Sequence, residues 1–118
     1  MPAATPLNTR DGRLSYEAAG DVDMQPLVFL HGIGGAARGW RAQLDHFGDR
    51  YRTIAWDMPG YGGSAPLATV SITTLAEALQ DFLGQIGATR PILVGHSIGG
   101  MIVQQWLVKH PPQPKQSF

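Results

Sequence analysis

The chain contains no cysteine, and this absence excludes several kinds of chemistry. Disulfide bonds, thiol redox reactions and thiolate metal ligation all need cysteine side chains. The four histidines do not show the paired spacing that is typical of metal ligands, so we expect no metal site.

Charge and long apolar runs are also scarce. Charged residues make up 15% of the chain, nine basic and nine acidic residues cancel, and no block of Lys or Arg occurs. We therefore expect neither nucleic acid nor a membrane surface as a partner. The N-terminus lacks a signal-peptide pattern, and no apolar run approaches the roughly 20 residues of a membrane span. We therefore expect a cytoplasmic protein. The length of 118 residues fits one domain.

Short apolar segments alternate with helical patterns along the chain. Asp11-Gly12 separates two extended segments, which predicts an N-terminal antiparallel hairpin. Strands that alternate with helices predict βαβ units, hence an α/β fold with a mainly parallel sheet and helices on both faces. The predicted strands after the hairpin are at 26–30, 53–56 and 91–94. The predicted helices are at about 37–47, from near 71 or 74 to 86, and after GHSIGG, where an apolar stripe at 102–107 marks a last helix that Pro111 and Pro112 stop.

The strongest helical pattern precedes Gly87. Six apolar residues between positions 75 and 86 repeat at helical spacing and predict one buried stripe. The helix would begin near Ser71 or Thr74, and Thr74 with Glu77 has the spacing of a capping box. Gly87 is predicted to end it.

A G-x-S-x-G motif occupies residues 95–99, where a predicted strand meets a predicted helix. A serine on so sharp a turn adopts an unfavourable backbone conformation, and side chains two residues away on either side would collide with neighbouring chain. Glycine is therefore needed at positions 95 and 99. The turn would raise the Ser97 hydroxyl above the carboxyl end of the sheet, beside the N-terminus of a helix.

A second glycine-rich loop, HGIGG at residues 31–35, follows the strand at 26–30. Acyl transfer needs a backbone donor from a second loop to hold the oxyanion of the tetrahedral intermediate. In the order HGIGG, WDMPGYGGS, GHSIGG and HP, residues 10–111 resemble the α/β-hydrolase family.

This resemblance implies a function and a set of site residues. It implies Ser97 as the nucleophile, the backbone N–H groups of Ile33 and Ile98 as the oxyanion hole, a small-molecule substrate and no cofactor. Because the nucleophile is Ser and not Asp, it points to ester, thioester, lactone or carbon–carbon bond hydrolysis through an acyl-enzyme. It points away from the dehalogenase and epoxide hydrolase branches. The motif and supporting positions are His31, Gly32, Gly95, His96, Gly99 and Asp57.

The resemblance also implies an acid and a histidine beyond the last motif, and we find neither. We therefore expect residues 1–111 to be the N-terminal portion of a hydrolase domain, residues 112–118 to be a tail outside the family pattern, and the chain alone to be inactive. His110 would lie on the order of 20 Å from Ser97 along the last helix. His31 is the one plausible substitute base, although a hydrogen bond that anchors its loop is the favoured role. Asp57 is expected to cap its own glycine loop.

The family's strand order would leave residues 91–94 at the edge of the sheet. An unpaired apolar strand can pair with another chain, so we expect self-association through this edge.

Two other interpretations remain open. Gly32, Gly34 and Ala37 fit G-x-G-x-x-A, with Asp57 placed 20 residues later, as in a dinucleotide-binding domain. Two strands precede the motif, however, and this interpretation leaves GHSIGG unexplained. The second alternative is a non-catalytic fragment or small-molecule-binding module of the same fold.

Overall fold

The computed structural model describes residues 3–111, and the expected tail at 112–118 lies outside them. The chain forms one five-stranded mixed sheet, flanked by helices. The strands are β1 (Thr5–Asn8), β2 (Ser15–Ala19), β3 (Pro26–Leu30), β4 (Arg52–Trp56) and β5 (Ile92–Gly95). The helices are α1 (Arg41–Phe47), which follows a 3₁₀ turn at Ala37–Trp40, α2 (Ile72–Ile86) and α3 (Ile98–Lys109).

The strand order across the sheet is β1-β2-β4-β3-β5. The N-terminal hairpin is antiparallel, and its second strand pairs antiparallel with β4. Strand β3 runs parallel to both β4 and β5, as the alternation of strands and helices predicts. The carboxyl ends of the three parallel strands therefore meet at one side of the sheet, and β5 is an edge strand.

Side chains of alternate strand residues pack on opposite faces of the sheet. On one face Val28, Leu30, Ile54 and Trp56 join the apolar stripes of α2 and α3. On the other face Leu27, Phe29 and Ala55 pack with residues of the 3₁₀ turn and α1. Both faces thus carry helices, which confirms the predicted layers.

Trp56 is fully buried in the larger core, 5.6 Å from Phe82 between ring centroids. Within residues 3–111 its indole N–H finds no hydrogen-bond acceptor. Most buried polar groups are paired, so this donor is an exception in the core.

The turns follow the sequence closely, with one difference. Gly12 in the hairpin and Gly87 after α2 have φ of 74° and 68°, a region that favours glycine. The capping box of α2 joins Ser71 and Thr74, not Thr74 and Glu77. Helix α2 begins at Ile72, so Thr74 is its third residue. The Thr74 hydroxyl accepts the Ser71 N–H at 2.9 Å. The helix consequently begins three residues earlier than a Thr74 cap would allow.

Candidate active site at the carboxyl end of the parallel strands

Ser97 lies between the end of β5 and the start of α3, with φ of 57° and ψ of −122°. A positive φ is strained for a residue that carries a Cβ, and it costs on the order of 1–3 kcal/mol. The side chain does not cap α3, and among residues 3–111 its hydroxyl makes no hydrogen bond. The elbow, residues 95–99, therefore presents an exposed and unengaged hydroxyl.

The two glycines of the elbow are required by close backbone approach. A Cβ at Gly95 would lie 2.5 Å from the backbone nitrogen of Gly100. A Cβ at Gly99 would overlap the carbonyl oxygen of Leu30 at the end of β3. Both distances are far inside van der Waals contact, and the groups met are backbone. The geometry thus gives the reason for the motif's spacing.

The loop after β3 packs directly against the elbow. A Cβ at Gly32 would lie 3.0 Å from the Cβ of Ser97 and 3.1 Å from Cδ2 of His96. Ile33, one residue further, is 75% exposed, so its side chain does not anchor the loop. Within residues 3–111 the backbone N–H groups of Ile33 and Ile98 donate to no other group. Two unused donors are therefore available next to the serine.

His31 is buried, with 4% of its surface exposed, and both ring nitrogens are engaged. Its Nε2 lies 3.0 Å from the backbone nitrogen of Met58, and its Nδ1 lies 2.8 Å from the carbonyl oxygen of Gly32. A backbone N–H can only donate, so Nε2 accepts and Nδ1 carries the proton. The imidazole links the loops after β3 and β4 and has no free nitrogen for Ser97.

Asp57, the first residue after β4, connects three segments. Its Oδ1 accepts the backbone N–H of Ala37 at 2.8 Å, and its Oδ2 accepts the hydroxyl of Ser15 at 2.5 Å. Ser15 also accepts the N–H of Gly63 at 3.1 Å. The Asp57 carboxylate therefore caps the loop after β3 directly. Within residues 3–111 it accepts no backbone N–H from its own glycine loop, and Ser15 bridges the two.

Ser64 completes this set of contacts. Its hydroxyl donates to the carbonyl oxygen of Asp57 at 2.6 Å and accepts the N–H of Ser15 at 3.0 Å. The sequence alone does not point to Ser15 or Ser64, because Ser15 lies 42 residues from Asp57 and no local pattern links them. We call residues 31–37 and 57–65 together the loop cluster.

Of the other three histidines, one lies on the elbow and two lie away from it. His96 is exposed on the elbow beside Gly32. His46 is exposed on α1, and His110 stacks on Trp106 at the opposite end of α3 from Ser97. Within residues 3–111 none of the four is hydrogen-bonded to the Ser97 hydroxyl. The described chain thus places the Ser97 hydroxyl beside the loop that carries Ile33, and none of its imidazoles is bonded to that hydroxyl.

The geometry also bears on the other predictions. Both carboxylate oxygens of Asp57 are used by protein donors, and only a four-residue 3₁₀ turn begins at Ala37, which argues against a dinucleotide site. Among residues 3–111, no group of three potential metal ligands occurs. No helix in this part of the chain is long and apolar enough to cross a membrane.

Known proteins share both the sequence pattern and the fold. Epoxide hydrolase 3 of Xenopus tropicalis is 40% identical over 101 residues, which are 83% of this chain and 28% of that protein. A bacterial membrane phospholipase A superposes with a TM-score of 0.83 at 28% identity, over 93% of this chain and 36% of its own. Naproxen esterase from Bacillus subtilis gives a TM-score of 0.78 at 28% identity, over 94% and 40%.

The chain spans 24–35% of the length of the curated relatives it matches. A family model described as alpha/beta hydrolase fold matches residues 25–117, which include both glycine loops and the elbow. With the strand order, the strained serine and the apposed loop already in view, this match shows that the chain belongs to the α/β hydrolase fold family.

Proposed function

We propose that this chain carries the nucleophile and the oxyanion hole of a hydrolase that cleaves esters, thioesters, lactones or carbon–carbon bonds through an acyl-enzyme on Ser97. The observation that carries the proposal is the exposed hydroxyl of Ser97 at φ 57°, with the loop of Gly32 against its Cβ. The N–H groups of Ile33 and Ile98 would bind the oxyanion as the hydroxyl oxygen attacks the carbonyl carbon.

The relatives named epoxide hydrolases favour a second candidate, the opening of an epoxide. The side chain at position 97 argues against it. A serine oxygen that opened an epoxide would form an ether, which water does not readily cleave. The same oxygen that attacked an acyl group would form an ester, which water can hydrolyse to regenerate the enzyme. Acyl transfer is therefore the reaction that a serine at this position can complete.

The same proposal sets the expected rate. A serine hydroxyl needs a general base, and no imidazole within residues 3–111 is hydrogen-bonded to it. Binding and an oxyanion hole alone retain roughly 10³- to 10⁴-fold acceleration over water when triad members are removed. We propose that the chain alone acylates slowly on activated esters and does not turn over efficiently. A non-catalytic binding module would show no acylation at all.

The test is site-specific acylation by an activated ester such as p-nitrophenyl acetate. Peptide mapping should locate the acetyl group on Ser97, and Ser97→Ala should abolish it. Ser71→Ala, which removes an exposed serine hydroxyl at the start of α2, outside both the elbow and the loop cluster, is the matched control and should leave the labelling site unchanged. An aromatic epoxide is the comparison substrate and should give no diol. Labelling that persists in Ser97→Ala, or diol formation from the epoxide, would refute the proposal.

A further inference from the structure

The loop after β3 contains a tight turn at residues 32–35 that directs one backbone N–H away from its interior. The N–H of Gly35 donates to the carbonyl oxygen of Gly32 at 2.9 Å, and Gly34 has φ of 83°. A bond between the first and fourth residues, with a positive φ at the third, is the pattern of a type II turn. The peptide that joins Gly32 to Ile33 is trans, so its N–H points opposite to the carbonyl that closes the turn. The Ile33 N–H therefore lies on the outer side of the turn.

The turn is anchored at both of its ends. Before it, His31 donates from Nδ1 to the Gly32 carbonyl oxygen at 2.8 Å and accepts the Met58 N–H at Nε2 at 3.0 Å. After it, the N–H of Ala37 donates to Oδ1 of Asp57 at 2.8 Å. Both anchors thus end on consecutive residues of the loop after β4. The direction of the outer N–H consequently depends on how the start of that loop is held.

The Asp57 carboxylate is the anchor that would be lost by rotation of a side chain. Its Oδ2 accepts the Ser15 hydroxyl at 2.5 Å, and the Ser15 oxygen in turn accepts the Gly63 N–H at 3.1 Å. The carboxylate also packs closely on Gly62, where a Cβ would lie 2.5 Å from the Asp57 Cγ. A hydroxyl that accepts a backbone N–H and donates to a carboxylate has a defined orientation. Ser15 therefore holds the carboxylate in the orientation in which its other oxygen meets Ala37.

We infer that Ser15, on β2, is a positioning residue for acyl transfer at Ser97, an inference that rests on the proposed function. Ser15 fixes the Asp57 carboxylate, the carboxylate fixes Ala37, and the turn between Ala37 and His31 carries the Ile33 N–H to the oxyanion. All of these contacts lie within residues 15–63.

The part of the reaction that Ser15 affects follows from the role of the Ile33 N–H. An oxyanion donor acts at the position where negative charge develops, so a small change in its direction weakens the transition state more than the bound substrate. Loss of the Ser15 hydroxyl should therefore slow acylation without weakening the binding of the ester.

The kinetic test compares three variants of the 118-residue chain. Ser15→Ala removes the hydroxyl, Ser15→Thr retains one, and Ser71→Ala is the exposed serine control on α2. The rate of Ser97 acylation is measured over a range of p-nitrophenyl acetate concentrations. Ser15→Ala should lower the maximal rate about tenfold, less than the roughly 10²- to 10³-fold cost of removing an oxyanion donor. The ester concentration that gives half the maximal rate should not change.

The two other variants show whether the hydroxyl itself is responsible. Ser15→Thr should return the maximal rate to within about threefold of the parent, because its hydroxyl can still donate to the carboxylate. Ser71→Ala should react like the parent. Circular dichroism checks that all three variants are folded.

Amide hydrogen exchange of the unreacted chain supplies a readout that needs no activity. The Ala37 N–H donates to Asp57 and not to Ser15, so it reports the carboxylate. In Ser15→Ala this amide should lose protection, and Ser15→Thr should restore it. The Gly35 amide lies inside the turn and should stay protected in both variants.

The outcomes separate the inference from the proposed function. A parent that is not acylated on Ser97 would refute the proposed function, and the inference with it. With a labelled parent, three results would overturn the inference alone: an unchanged maximal rate in Ser15→Ala, unchanged protection of its Ala37 amide, or a Ser15→Thr variant no faster than Ser15→Ala.

Discussion

The loop cluster packs against the elbow at Ser97, yet different interactions hold the two in place. The loop cluster is joined by hydrogen bonds from side chains, chiefly those of Asp57, His31 and Ser15. The elbow has no side-chain hydrogen bond. Main-chain bonds such as that from the His96 N–H to the Leu30 carbonyl hold it, and they form only because Gly95 and Gly99 lack a side chain. One half of the site therefore depends on polar groups that must be satisfied, and the other on steric fit.

The largest expected effect tests the steric half. Gly99→Ala should destabilise the chain by about 3 kcal/mol or more, because the new Cβ meets the Leu30 carbonyl and neither backbone can retreat without disturbing β3. Urea unfolding followed by circular dichroism measures this. Gly100→Ala is the matched control on the same helix. Its Cβ would lie 3.5 Å from the Gly95 oxygen, an ordinary contact, so we expect a gain of about 0.5–1 kcal/mol. Equal losses in both variants would contradict the steric explanation.

The next effect tests the polar half. Asp57→Ala should cost about 2 kcal/mol, because the Ala37 N–H and the Ser15 hydroxyl lose their acceptor. Asp57→Asn should cost less, since one acceptor oxygen remains. Hydrogen exchange separates the two halves of the site: the Ala37 amide should lose protection, while the Gly100 amide, bonded to the Ser97 carbonyl, should not. Equal loss at both amides would mean that the elbow depends on the loop cluster.

The smallest effect measures the backbone strain at Ser97. Ser97→Gly should be more stable than Ser97→Ala by about 1 kcal/mol, because glycine adopts the positive φ without a Cβ penalty. Both variants lack the hydroxyl, so their difference reports the backbone alone. Parallel urea titrations measure it, and identical midpoints would show that the elbow carries no strain relieved by glycine.

Sequence patterns predicted those parts of the fold that rest on local chemistry. The hairpin at Asp11-Gly12, the alternation of strands and helices, the end of α2 at Gly87 and the strained turn at Ser97 each follow from residues close together in the chain. The glycines at 95 and 99 were likewise expected, although the groups that exclude a side chain there were not. The local motif indicates that a side chain does not fit at these two positions, but it does not indicate which backbone atoms exclude it.

The polar network of the loop cluster could not be predicted in the same way. Asp57 was expected to cap its own loop, because aspartate before a glycine-rich turn commonly does so. Its carboxylate instead accepts from Ala37 and Ser15, which only the parallel pairing of β3 with β4 and the antiparallel pairing of β2 with β4 bring together. The capping box of α2 differs from the prediction for a simpler reason. Thr74 can serve either as the N-cap or as the third residue of the helix, and the path of the chain before Ser71 decides which.

The unpaired indole of Trp56 gives the chain an internal optical reporter. An indole that is fully buried and makes no hydrogen bond within residues 3–111 should emit at the blue end of the tryptophan range. Trp106 differs, since its indole N–H donates to Gln80 at 2.9 Å and its ring stacks on His110. Excitation at the red edge of the absorption band should favour the hydrogen-bonded indole of Trp106. The emission maximum of the folded chain should therefore change with excitation wavelength. This dependence should disappear when the chain unfolds.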